Sequence, residues 1–202
     1  MSRSRSTRAA LEHVRVDLAD GGTATLRPLR HGEAAPVIEV FDGMSELSRA
    51  RRFLTGMARL PAVMLAALTD VDGCDHVAWV ASVDGCPVGI GRYARTDPET
   101  VEVALEVVDA HQGRGLGWVL ADVIATLACA NGVTRITASV APDNVPSLRV
   151  LRALGLTTRL DDGLLEGTGR LRLPEPARVR RTALLARARR ETYPSLAEPT
   201  CA

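Results

Sequence analysis

Lysine is absent from this 202-residue chain, and every one of its 25 basic residues is arginine. No Walker-type phosphate loop can therefore be present, because that loop ends in a Lys-Ser or Lys-Thr pair. The skew reflects a coding-composition bias and carries no mechanism by itself. Aromatic residues make up 3% of the chain, and the arginine-rich run 177–190 contains none, so specific nucleic-acid reading is disfavoured. The four cysteines, Cys74, Cys86, Cys129 and Cys201, form no CxxC pair, which argues against a zinc site and a disulfide framework. His13, His31, His76 and His111 show no metal-ligand spacing either, and no metal is expected. No apolar run approaches the 18 or so residues a bilayer-crossing helix needs, and the opening MSRSRSTR lacks the apolar stretch of a secretory signal. A cytoplasmic protein with no membrane partner is expected. The 24 acidic residues leave a formal charge of +1, so no global field attracts polyanions.

What is present is an ordinary globular composition, 46% hydrophobic and 24% charged, long enough for one domain. Residues 1–12 are expected to be disordered, 13–175 to form the domain, and 176–202 to be an arginine-rich extension, a solvated and partly docked helix or an anion-binding arm. Two alternating stretches flank Asp20-Gly21-Gly22 in 14–30 and predict a hairpin. Helical spacing covers 33–41 and 48–60, stopped by Pro61. From His76 the period becomes two: HVAWVASV and CPVGIGRYAR flank Asp84-Gly85, a type I′ turn signal. A strand over 100–108, a glycine-rich loop, a helix over 117–130, a strand over 136–141 and a helix over 145–154 follow. LTTRL and GRLRL (169–173) supply two closing strands.

The most informative stretch is Gln112-Gly113-Arg114-Gly115-Leu116-Gly117, between a strand and a helix. Glycines let the chain turn tightly against a ligand, and the first helical turn offers unpaired N–H groups to an anion. These features suit a pyrophosphate cradle, although a plain structural turn would use the same residues. A dinucleotide-binding loop wants GxGxxG after the first strand with an acid about 20 residues on, whereas this loop lies mid-chain behind hairpins.

With Gln112, Gly115 and Gly117 matching Q/R-x-x-G-x-G/A, the chain resembles the GCN5-related N-acetyltransferase (GNAT) family, with elements in the family's order from Leu26 to Leu173. Ser45-Glu46-Leu47-Ser48, Arg52-Phe53, the run 77–93 and Glu102-Val103-Ala104 followed by Asp109 resemble the bacterial Pat-type protein lysine acetyltransferases. The resemblance implies a mixed α/β (α+β) fold with a mostly antiparallel sheet, splayed between two parallel strands, and helices on both faces. It implies acetyl-CoA as cosubstrate. Amides around Val107, Val108 and Asp109 would pair with the pantetheine, and those of Gln112, Gly113, Arg114, Gly115, Leu116 and Gly117 would hold the pyrophosphate. Asn144 resembles the family's cofactor-contacting asparagine.

Acetyl transfer to an amine needs a neutral nucleophile, yet a free lysine with a pKa near 10.4 is almost wholly protonated at neutral pH. Glu102, ten positions before Gln112, stands where the resembled branch places its glutamate base, and is expected to be buried with a raised pKa. Glu106, on the same face by alternation, is the reserve candidate. A strand N–H near Val107 or Val108 would meet the oxyanion of the tetrahedral intermediate. Two positions depart from the family: Leu151 replaces the tyrosine that protonates the leaving thiolate, and His111 replaces an aromatic. The expected activity is acetyl transfer from acetyl-CoA to a protein lysine. Alternatives are a small-molecule amine as acceptor, and a non-catalytic acyl-CoA sensor.

Overall fold

The computed structural model describes residues 14–191, so the expected disordered start and the last part of the arginine-rich extension lie outside the described residues. Eight strands form one sheet: β1 (Val14–Asp17), β2 (Thr23–Pro28), β3 (His76–Val83), β4 (Cys86–Asp97), β5 (Thr100–Val107), β6 (Arg135–Val140), β7 (Leu156–Asp161) and β8 (Leu164–Arg170). Their order is β1-β2-β3-β4-β5-β6-β8-β7, and every pair is antiparallel except β5 with β6. The expected mixed, mostly antiparallel sheet is what forms. Asp84 and Gly85 take φ of 50° and 84°, the positive pair that a type I′ hairpin requires.

The helices are α1 (Ala35–Asp42), α2 (Glu46–Phe53), α3 (Ala62–Thr69), α4 (Leu116–Ala130), α5 (Val145–Ala153) and α6 (Arg181–Glu191). Helix α4 is buried nearly all round, because the sheet lies beneath it and α5 and α6 flank it. Its Leu120 and Ile124 come so close to β4 that a Cβ on Gly89 or Gly91 would meet them at 3.2 and 3.0 Å, so glycine there permits the contact. Val14, Leu26, Trp79, Leu120, Ile124, Ile136, Leu151 and Leu184 share the core on this face. On the opposite face Val37 and Val40 of α1 pack with Ala78, Val80 and Ile90, and α3 adds Leu65 and Leu68. Full burial of such a side chain stabilises the fold by about 1.5–3 kcal/mol.

Two elements differ from the expectation. The helix expected over 48–60 ends at Phe53, where Leu54 turns left-handed with φ 56°, and α3 begins after Pro61. Its sequence AVMLAALT is apolar up to the closing Thr69, with no periodic polar face to mark it as a helix. The last strand is Leu164–Arg170, not 169–173. Asp162 and Gly163, with φ of 42° and 80°, make a second two-residue turn, which pins Asp161 opposite Leu164. Among the described residues no helix is long and apolar enough to cross a membrane.

After β8 the chain returns to α4 and is anchored there by Asp122, which has no exposed surface. Its carboxylate accepts the backbone N–H groups of Arg178 and Val179 at 2.6 and 3.0 Å and the Nε–H of Arg181 at 2.9 Å. Such charge-assisted bonds offset the cost of burying the acid. Leu184 of α6 then enters the core beside β1 and β2.

Candidate functional site

The site begins where the two parallel strands part. β5 pairs with β6 only over Thr100–Glu102 opposite Arg135–Thr137, although both strands run on, to Val107 and Val140. The N–H of Val108 donates to the Val88 carbonyl at 2.9 Å. In an antiparallel ladder alternate residues bond across the pair, so the main chains of Glu106, Ala104 and Glu102 bond β4 as well, while those of Val103, Leu105 and Val107 face the gap. An extended ligand can therefore pair with β5 along that edge. The Val108 N–H, expected to meet the pantetheine or an oxyanion, is thus already committed to β4, whereas the Val107 N–H faces the gap.

At the end of β5 the chain makes a short 3₁₀ turn (Asp109–His111) and enters the glycine loop. Gly115 caps α4 with φ 90°, a left-handed value that glycine adopts without strain. No backbone carbonyl accepts from the amides of Gly113, Arg114, Gly115, Leu116 or Gly117 among the described residues. A Cβ on Gly113 or Gly117 would point into open space. Free donors, an open approach and the positive end of a 15-residue helix make an anion cradle that fits a pyrophosphate. The β1–β2 turn braces the loop: Ala19 N–H donates to the Arg114 carbonyl, and the Arg114 guanidinium pairs with Asp20 and donates to His111 Nδ1 at 2.7 Å. That hydrogen bond to Arg114 holds the Asp20 carboxyl below its ordinary pKa. Gln112 turns its side chain back, donating to the Val107 carbonyl at 3.1 Å and to Ser48 Oγ at 3.3 Å, so it ties the loop to the strand end.

Helix α2, marked in the sequence by helical spacing but tied to the site only through the family resemblance, is fastened across the mouth of the gap. Asp109 accepts from the Ser45 N–H, the Ser45 hydroxyl and the Ser48 hydroxyl at 2.7–2.9 Å. Slight burial raises its pKa, and these three donors outweigh that and lower it. Arg51 reaches the end of β6 and donates to Asp143 at 2.7 Å, next to Asn144. Arg52 donates to Glu106 Oε2 at 2.7 Å while Arg92 holds Oε1 at 2.9 Å. Burial would raise the Glu106 pKa, but the two guanidiniums outweigh it and hold the carboxyl below its ordinary value. With both oxygens engaged, the reserve base is a strut.

Glu102 is different. Expected as a buried carboxylate, it is exposed, and its side chain has no hydrogen-bond or ion-pair partner among the described residues. It occupies the last paired position before β5 and β6 separate, on the face opposite α4, where α2 stops short at Glu106. Asn144 caps α5, its Oδ1 accepting the Ser147 N–H at 3.3 Å. Leu151 is buried in the core on the α4 side, so no phenol or substitute acid stands at its position. Among the described residues no group of three or more His, Cys, Asp or Glu side chains could hold a metal ion.

A splayed sheet with a free strand edge and a helix-capped loop of unpaired amides defines a site for an acyl donor with an extended arm and a phosphate end. Residues 44–156 match the model of the acetyltransferase (GNAT) family, and the chain belongs to that family. It is thus an acyltransferase, of a family whose acyl donor is acetyl-CoA. Within the family it is similar to the acetyltransferase Pat of Mycolicibacterium smegmatis, 30% identical over 152 residues, which is 73% of this chain and 45% of Pat. The chain thus spans about half of that relative. The acetyltransferase PA5475 of Pseudomonas aeruginosa is 33% identical over 60% of the chain and 68% of its own length. The GNAT domain of S. lividans PAT superposes with a TM-score of 0.73 at 31% identity, covering 80% of this chain and 98% of that domain.

Proposed function

We propose that the chain acetylates a primary amine, a lysine side chain of a protein, by direct attack in a ternary complex, with Glu102 as general base. Acetyl-CoA supplies the thioester carbonyl that the amine attacks. The edge of β5, with Val107, Val108 and Asp109 at its end, would orient the pantetheine arm. The amides from Gly113 to Gly117 would bind the pyrophosphate, the Gln112 N–H being taken by the Asp109 carbonyl at 3.1 Å, with Asn144 on the facing strand end. Glu102 takes the proton that the attacking nitrogen must lose, and the Val107 N–H receives charge developing on the carbonyl oxygen. Leaving-group protonation falls to water, since Leu151 can supply none. The acetyltransferase unit is proposed to span residues 13–175, with 176–202 as an extension.

The single observation carrying this reading is the unpaired Glu102 carboxylate at the point where the strands open, beside a Glu106 whose oxygens are both occupied. The test is thiol release from acetyl-CoA with lysine peptides and small amines as acceptors. Glu102→Gln should lower kcat by about 100- to 10,000-fold at pH 7, leave acetyl-CoA affinity unchanged, and recover as pH rises toward the amine's pKa. Wild-type turnover in that variant would remove Glu102 from the reaction. A wild-type protein that binds acetyl-CoA and acetylates no amine would be a sensor.

A further inference from the structure

The return of the chain to α4 brings an arginine from the extension against Trp118, in the first turn of that helix beside Gly117. Asp122 receives the Arg178 and Val179 amides, which fixes the backbone of Arg178, and Val179 is itself buried. The Arg178 guanidinium lies over the Trp118 ring, 5.9 Å from its centroid. Trp118 directly follows Gly117, and its own N–H donates to the Gly115 carbonyl, so its ring stands on the helical turn whose preceding amides form the cradle. Stacking on an aromatic face orients a guanidinium without neutralising it and leaves its N–H edge available. Arg178 is exposed, and no carboxylate pairs with it among the described residues. The loop's own arginine, Arg114, is committed to Asp20 and His111.

We infer that Arg178, held over Trp118, recognises the 3′-phosphate of CoA. This rests on the reading of residues 112–117 as the pyrophosphate site. In CoA the ribose that carries the pyrophosphate also carries a phosphomonoester, so the second anion must fall near the cradle. A phosphomonoester holds a charge of about −1.5 to −2 at neutral pH and accepts charge-assisted hydrogen bonds in the fork geometry of arginine. The extension is thereby part of the cofactor site, and the arginine it presents selects CoA over its dephosphorylated analogue.

The test is a calorimetric cycle on the full chain with two ligands, CoA and 3′-dephospho-CoA, and two proteins, wild type and Arg178→Ala. The wild type should bind CoA roughly three- to tenfold more tightly, the scale of one exposed charge-assisted contact. In Arg178→Ala that ratio should fall to near one while affinity for 3′-dephospho-CoA stays at the wild-type value. A ratio that survives the substitution overturns the inference, as does an equal loss for both ligands, which would make Arg178 a brace for Trp118. A wild type that binds both ligands equally overturns it and leaves the cradle intact. A wild type that binds neither overturns the cradle with it.

Discussion

Glu106→Gln removes one negative charge from a cage in which the carboxylate side chain is 4% exposed and its partners Arg52 and Arg92 are 16% and 6% exposed. The Arg92 Nη1 donates to the Leu68 carbonyl, and its Nε, buried with no partner among the described residues, gains nothing from the change. Breaking a buried ion pair from one side costs about 3–5 kcal/mol, chiefly because the remaining charge stays buried and unpaired. Glutamine keeps one acceptor oxygen, so the lower end, about 3 kcal/mol, is expected. In urea at pH 7 the midpoint should fall by roughly 1 M with an unchanged slope. Because the folded pKa of Glu106 lies below the unfolded value, its stabilisation is present above about pH 4.3 and is lost as pH falls through the folded value. The gap between wild type and variant should therefore close in acid. A loss under about 1 kcal/mol, or a collapse of turnover at unchanged stability, would refute the strut and return Glu106 to the reaction.

Gly115→Val places a β-branched residue at φ 90° in the cradle and should abolish acetyl-CoA binding while the circular dichroism spectrum is retained; unchanged affinity would refute the cradle. Asn144→Ala removes the cap on Ser147 and should cost about 1 kcal/mol of stability, together with a several-fold rise in the Michaelis constant for acetyl-CoA. If only the stability changes, Asn144 is a helix cap and no more.

Local signals were legible from the chain alone. Asp84-Gly85 and the glycine loop announce themselves because a positive φ or a tight turn restricts the residue types allowed within a few positions. Asp162-Gly163 carries the identical signal, and that turn sets the last strand at Leu164–Arg170, ahead of the GRLRL segment expected to form it. The pattern also placed Glu102 and Glu106 on one face of β5, since a strand alternates with a period of two.

What separates those two glutamates was decided only by the tertiary structure. Arg52 and Arg51 meet their carboxylates across 54 and 92 residues of chain, and Asp122 receives the Arg178 amide across 56. Composition and period carry no record of such pairings, because they depend on the register of β4 against β5 and on where α2 and the returning chain come to lie. The sequence by itself determined the fold class, the glycine loop and the candidate base. The packing of α2 over the opened strands determined which glutamate is caged and which stands free, because burial and the approach of a guanidinium are properties of the folded surface.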